Sequence, residues 1–219
     1  MTSGMVADKG EMSSRLGHVY WLGGGSGAGK STIARRLADR HRLRIYSTDD
    51  VMPDHGNRYS PEDSPFLEAF KKMDMDERWV NRSPKVMLET FHWFRGEAFN
   101  LIVEDLLKLP PEQPVIVEGF RLLPRLVEPL LETKSQAVWL IPTPEFRLAA
   151  FTSRGTLRSI AEKTSNPDRA LSNLLARDEM FTNQIENEVK ERGLAAIGVN
   201  LPISESELTH RVAAQIGLE

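Results

Sequence analysis

The chain has 219 residues, 40% of them hydrophobic and 27% charged, with a net charge of −3. That is enough for one domain with a buried core, and the balance argues against a generic nucleic-acid binder. The absence of cysteine excludes disulfides and thiolate metal sites, and no apolar run approaches the roughly 20 residues that span a bilayer. With no signal-peptide order at the start, the expectation is a cytoplasmic protein that engages neither membrane nor nucleic acid; oligomeric state is left open.

Met1 to Gly17 is polar and aperiodic and reads as a flexible tail. Residues 18–219 then read as one domain. His18 to Leu22 is a short apolar run of strand type, followed by a cluster of glycines. Beyond it Ile33, Ala34, Leu37 and Ala38 recur at helical spacing. Leu43 to Ser47 is a second strand, so the opening is a βαβ unit. Val51 to Pro65 is rich in turn residues and reads as loop.

From Pro65 to about Pro110 the pattern is helical. It is best between Met87 and Leu107, where Met87, Phe91, Phe94, Ala98, Ile102 and Leu106 form one stripe read as core. Residues 54–107 are too long for a plain crossover and suggest an inserted helical subdomain. Pro114 to Glu118 is a third strand and Ala137 to Ile141 a fourth. Asn166-Pro167 starts a helix that runs to about Arg192, with Gly193 as its cap. Leu194 to Val199 is a fifth strand, and Ser204 with Glu207 forms a capping-box signature for the last helix. Five apolar strands separated by helices imply a parallel sheet covered on both faces.

Gly24-Gly25-Ser26-Gly27-Ala28-Gly29-Lys30-Ser31 fulfils G-x-x-x-x-G-K-[ST], with a strand before it and a helix after it. Small residues let backbone N–H groups converge on phosphate, and the helix start aims its positive dipole end there. Thr32 closes the segment. Lys30 supplies charge for the terminal phosphates, and the Ser31 hydroxyl is a magnesium ligand. Ligands of open parallel sheets sit beyond the carboxyl ends of the strands. Asp49 and Asp50 follow the second strand, and Glu118 closes the third. One of these acids can take a proton from an attacking hydroxyl, while Asp50 or Glu118 helps hold magnesium.

Residues 145–177 hold six basic residues, Arg147, Arg154, Arg158, Lys163, Arg169 and Arg177. A closing segment of this kind can neutralise charge on a migrating phosphoryl group. Arg154 and Arg158, one turn apart, are the preferred pair, with Arg177 next. In "ERWVNRSP", Arg78 and Arg82 are candidates to meet a substrate anion; Asp49, Glu118 and Arg121 complete the candidate acceptor-binding set.

Four stretches carry a resemblance: the glycine loop, "YSTDD", "VIVEGFRLLP" and "WLIPTPEFR". Together they resemble the small-molecule P-loop kinases of the nucleoside-monophosphate-kinase-like group, which includes chloramphenicol phosphotransferase, zeta toxin, and gluconate and shikimate kinases. They are also similar to 2-phosphoglycerate kinase. The resemblance spans roughly Val19 to Ala214, strong in the nucleotide half and weak over 54–107. It implies an α/β fold of three layers with strand order 2-3-1-4-5, an arginine lid after strand four, and ATP and Mg2+ as cofactors. It also implies that Asp49 activates the acceptor hydroxyl and that Glu118 occupies the Walker B position, with glutamate where aspartate is more common. The expected activity is transfer of the γ-phosphoryl group to a hydroxyl of a small molecule. The rivals are a nucleotide kinase, a zeta-toxin-like nucleotide-sugar kinase and a nucleotide-binding switch; the last would call for an N-K-x-D element that the chain does not contain.

Overall fold

The computed structural model describes residues 9–218, without the side chains of Lys9 and Arg154. Its centre is a sheet of β1 (Val19–Gly24), β2 (Arg44–Ser47), β3 (Val115–Glu118), β4 (Ala137–Pro142) and β5 (Ala195–Val199). The spatial order is β2-β3-β1-β4-β5, and every pairing is parallel. That is the order the resemblance implied. Leu22 and Ser47 both lie opposite Glu118 in register, and Gly24 lies opposite Leu140. The carboxyl ends of β1, β2 and β3 therefore open onto one crevice.

The helices are α1 (Lys9–Arg15), α2 (Lys30–His41), α3 (Met52–Arg58), α4 (Pro65–Lys72), α5 (Met75–Trp79), α6 (Pro84–Thr90), α7 (His92–Arg95), α8 (Phe99–Leu107), α9 (Pro124–Val127), α10 (Pro144–Arg154), α11 (Thr156–Ala161), α12 (Pro167–Glu191) and α13 (Glu205–Gln215). Strand side chains alternate between two faces, and both faces are apolar. Trp21, Val117 and Trp139 face one layer, packed with Ile102 of α8 and with Phe181 and Ile185 of α12. Leu22, Ile116, Val138 and Leu140 face the other, with Ile33, Leu37, Leu208 and Val212 of α2 and α13. Burial on both sides is what makes the strands read as continuous apolar runs. Among the described residues no helix is long and apolar enough to cross a membrane.

Three expectations are corrected. The tail reading fails from Lys9 onward: α1 is helical, and Leu16 behind it is fully buried in the core. The loop expected over Val51 to Pro65 contains α3. Pro53 sits in its first turn, an Asp54–Arg58 pair spans i to i+4, and His55 is buried beneath it, so turn-forming residues were accommodated at a helix start. The stripe from Met87 to Leu106 is core, as expected, but not one helix. Phe91 is extended at φ −76°, ψ 111°, and Gly96 and Ala98 adopt φ +88° and +56°. These breaks split it into α6, α7 and α8 and send its side chains into separate clusters. Asn166 accepts a hydrogen bond from the Arg169 amide, as a cap does, and Gly193 closes α12 at φ +58°.

Candidate active site

The glycine segment runs from the end of β1 into α2. At Gly24 φ is +127°, and a Cβ would collide with the Leu140 backbone of β4, so only glycine fits that close approach. The Gly25 amide donates to Leu140 O at 3.0 Å and extends the ladder by one bond. The amides of Ser26, Gly27, Gly29 and Ser31 donate no hydrogen bond among the described residues. They ring the mouth of a cavity together with Ala28 and Lys30. Lys30 is mostly buried, and its Nζ donates to Gly24 O (3.2 Å) and Gly25 O (2.8 Å). The ammonium is thus held over the loop. Thr32 faces the other side of it and lines a second, smaller cavity of about 150 Å3 with Phe146, Ala150 and Ile203.

Glu118 is only 2% exposed, and its Oε1 accepts from Ser31 Oγ at 3.0 Å. Burial raises its pKa; Lys30 and hydrogen bonds from Ser47 and Ser31 pull the other way. Asp49 stands at the cavity wall. Its carboxylate is accessible from the opening yet hemmed in by protein, and desolvation raises its pKa, with Lys30 and Arg121 opposing. A carboxylate with a raised pKa beside a phosphate loop is suited to taking a proton. Asp50 is exposed and does not line the cavity. Among the metal candidates, Ser31 and Glu118 meet and Asp50 does not join them.

The cations are rearranged relative to expectation. The side chain of Arg154 lies outside the described residues. Arg158 is 70% exposed and pairs with Glu162 one turn along α11, so it points to solvent and not to the loop. Arg147 packs its stem beside the loop instead: it is buried, its Cγ lies 3.4 Å from where a Cβ on Gly27 would be, and its guanidinium pairs with Glu179 at 3.6 Å. Arg78 and Arg82 also turn away from the cavity. Arg78 donates to Phe70 O and lies 4.6 Å over the Phe70 ring. Arg82 donates to Glu77 O, Arg78 O and Thr90 Oγ1, so its guanidinium closes the carbonyl end of α5.

Arg121 is only 2% exposed and likewise does not line the cavity. Its guanidinium lies 4.1 Å over the Trp93 ring and donates to Ala98 O (3.2 Å), Thr48 O (3.4 Å) and His55 Nδ1 (3.0 Å). Burial lowers its pKa to about 10. An arginine can only donate, so His55 accepts at Nδ1 and its Nε2–H faces Asp105 Oδ2 at 2.9 Å. Arg121 clamps the loop after β2 to the inserted helices, and its guanidinium is not part of the cavity wall.

Sequence reasoning missed the cavity itself. It has a volume of about 430 Å3 and reaches from the phosphate loop, Asp49 and Glu118 into the helices of the insertion. Phe70, Trp79, Phe91, His92, Trp93 and Phe94 form much of its wall, and Arg177 with Asp178 lies on the α12 side. The signal was present in the sequence, since "FHWF" at residues 91–94 is dense in rings. A stripe that lines a cavity and a stripe that fills a core have the same periodicity.

The chain matches no protein-family model and no curated protein. Among solved structures it is similar to a gluconokinase from Sinorhizobium meliloti 1021, at 16% identity over 92% of this chain and 92% of that one, with a TM-score of 0.45. It is also similar to shikimate kinase from Acinetobacter baumannii in complex with shikimate, at 15% identity over 94% and 97%, TM-score 0.41. A third is deoxyadenosine kinase from M. mycoides with bound dATP, at 14% identity over 91% and 96%, TM-score 0.44.

Proposed function

We propose that this protein is an ATP- and magnesium-dependent phosphotransferase that moves the γ-phosphoryl group to a hydroxyl of a small molecule. The observation that carries the reading is one continuous cavity walled at one end by an unpaired-amide loop, Lys30, Ser31 and Glu118, with Asp49 beside them. In this reading residues 18–219 act as one catalytic domain, 54–107 as the acceptor-binding insertion and 145–177 as the lid. The free amides and the start of α2 receive the β- and γ-phosphates. Lys30 exchanges its bonds to Gly24 O and Gly25 O for phosphate oxygens. Arg147, beside Gly27, adds a second cation. The smaller cavity beside Thr32, Phe146 and Ile203 takes the nucleoside end.

Ser31 Oγ and Glu118 Oε1 are oxygen donors 3.0 Å apart beside the loop, the hard donor type that magnesium takes. Ser31 and Glu118 would hold magnesium there, and the ion would supply positive charge against that of the phosphates. Asp49 accepts the proton of the acceptor hydroxyl, and the protein walls exclude water that would otherwise take the phosphoryl group. A phosphate-accepting nucleotide kinase is less well supported, because Arg177, the one arginine among the described residues that lines the cavity, is already neutralised by Asp178.

The test is ADP release over a library of hydroxylated metabolites, sugars, nucleosides and antibiotics, with Lys30→Ala as the blank. The expected outcome is acceptor-dependent release in the wild type and none in Lys30→Ala. Calorimetry that detects no binding of ATP or GTP at millimolar concentration with magnesium would remove the reading.

A further inference from the structure

The cavity beyond Asp49 has walls of a particular chemistry. Phe70, Trp79, Phe91, Phe94, Phe120 and Phe151 all face it. Several are locked against one another edge-to-face: Phe70 with Trp79 and with Phe91 at 5.5 Å, and Phe91 with Phe94 at 4.8 Å between centroids. Phe94 is further fixed by stacking on Phe181 at 3.7 Å. A wall of interlocked rings presents apolar surface in a fixed shape. It offers few partners to a ligand covered in hydroxyls, each of which would lose water without replacement.

Within this wall lie two polar side chains that are buried and incompletely bonded among the described residues. Arg177 is 6% exposed; its Nε and NH2 donate to Asp178 Oδ1 at 2.9 and 2.6 Å, while NH1 has no hydrogen-bond partner among the described residues. Its guanidinium carbon lies 4.9–5.2 Å from the centroids of Trp79, Phe91 and Phe94. A buried donor left unsatisfied is costly, and native structures leave few of them. Asp178 already balances the charge of Arg177, so the free N–H calls for a neutral acceptor rather than a second carboxylate. His92, 2% exposed and with Nδ1 also unpartnered, is held neutral by burial, its pKa lowered to about 3. It adds a second polar point without adding charge.

We infer that the phosphoryl acceptor is an aromatic alcohol: a planar ring that fits between the caged side chains, with a neutral hydrogen-bond acceptor such as a carbonyl or ring nitrogen on its edge for Arg177 NH1, and a hydroxyl that reaches Asp49. Sugars and sugar acids are excluded from the class. This inference rests on the phosphotransferase reading and narrows its substrate. Arg177 is then a specificity-determining residue, and the aromatic wall is the subsite.

The experiment uses the full chain with ATP and magnesium and two readouts. One is ADP release with para-(hydroxymethyl)benzamide, its hydrocarbon analogue para-isopropylbenzyl alcohol, a nucleoside, glycerol and gluconate. The other is saturation-transfer NMR on the same compounds, which reports binding without turnover. The ring-bearing alcohols are expected to bind and release ADP, the polyol and sugar acid to do neither, and the amide to exceed its hydrocarbon analogue about tenfold in kcat/KM. Arg177→Lys keeps a cation for Asp178 but loses the forked donor. It should bring that tenfold preference down to about one, chiefly through KM, while the melting temperature reports that it has folded. Turnover of gluconate or glycerol in preference to the ring compounds overturns the inference and leaves the transferase reading standing. If ATP binds but nothing is phosphorylated, saturation transfer to the ring compounds still supports the aromatic subsite while the transferase reading falls; no transfer overturns the subsite. An amide preference that survives in folded Arg177→Lys removes Arg177 from its role.

Discussion

Replacing Arg121 with methionine separates a clamp from a substrate contact. The substitution leaves three acceptors without their donor: His55 Nδ1, Ala98 O and Thr48 O, at 3.0, 3.2 and 3.4 Å. Each buried group left unsatisfied costs about 1–3 kcal/mol, and loss of the stacking over Trp93 adds up to about 2 kcal/mol. Against this stands relief of a buried charge. Burial holds Arg121 at about 10 against its ordinary 12.5, which corresponds to roughly 3 kcal/mol returned when the guanidinium is removed. Three such groups and the stacking, less the charge relief, net to a loss between about 0 and 8 kcal/mol with mid-range values near 4, or a fall in melting temperature on the order of 8–16 °C at that mid-range for a chain of this size. Because Arg121 does not line the cavity, nucleotide affinity measured calorimetrically should stay within about twofold of wild type. Arg121 also lowers the pKa of Asp49, so its removal should move the acid limb of the kcat profile to higher pH. A variant that melts like the wild type while its acceptor KM rises more than about tenfold would refute the reasoning, since it would place Arg121 in contact with substrate.

Asp49→Asn should abolish transfer while leaving ATP affinity nearly intact; turnover like the wild type would take the base assignment away. In the wild type, kcat should fall as pH drops through the pKa of Asp49, which desolvation raises above the usual carboxylate range. The same sign governs stability. A carboxyl whose folded pKa is raised stabilises the fold below its unfolded pKa, and that contribution is lost as pH rises through the folded pKa. Asp49→Asn should therefore melt no lower than wild type at neutral pH, as calorimetric scans would show. Arg158→Ala should change kcat/KM by less than about twofold, because an exposed i,i+4 pair contributes little, whereas Arg147→Ala should cut it at least about tenfold in steady-state assays. Gly119→Ala should destabilise by at least about 1–2 kcal/mol in denaturant titration, since Gly119 holds φ +146° and a Cβ would land on Thr48 Oγ1.

The layered sheet and the phosphate loop were legible because both are local patterns. The continuous apolar run of a strand buried on both faces is written residue by residue, and a loop that packs amides around phosphate must spell out its glycines and lysine in consecutive positions. The acids at the strand ends were legible at one remove: parallel topology puts every strand's carboxyl end on the same side, so Asp49 and Glu118 had to share a crevice. Helix-breaking torsions were not. Phe91, Gly96 and Ala98 cut one apolar stripe into three helices, and nothing in its period marks the cuts.

The chain's order of residues by itself determined the phosphate loop, the βαβ start and the sheet that bears them, since each follows from neighbours within a few positions. Tertiary structure alone decided which arginines do what. Arg121 became a buried clamp, Arg158 a solvated pair, Arg147 a buried partner of Glu179 with its stem against the loop, and Arg177 a donor in a cage of rings. A guanidinium on a long stem can serve any of these ends. The choice is fixed by which carbonyls, carboxylates and aromatic faces distant segments bring within its reach, and sequence spacing does not encode that.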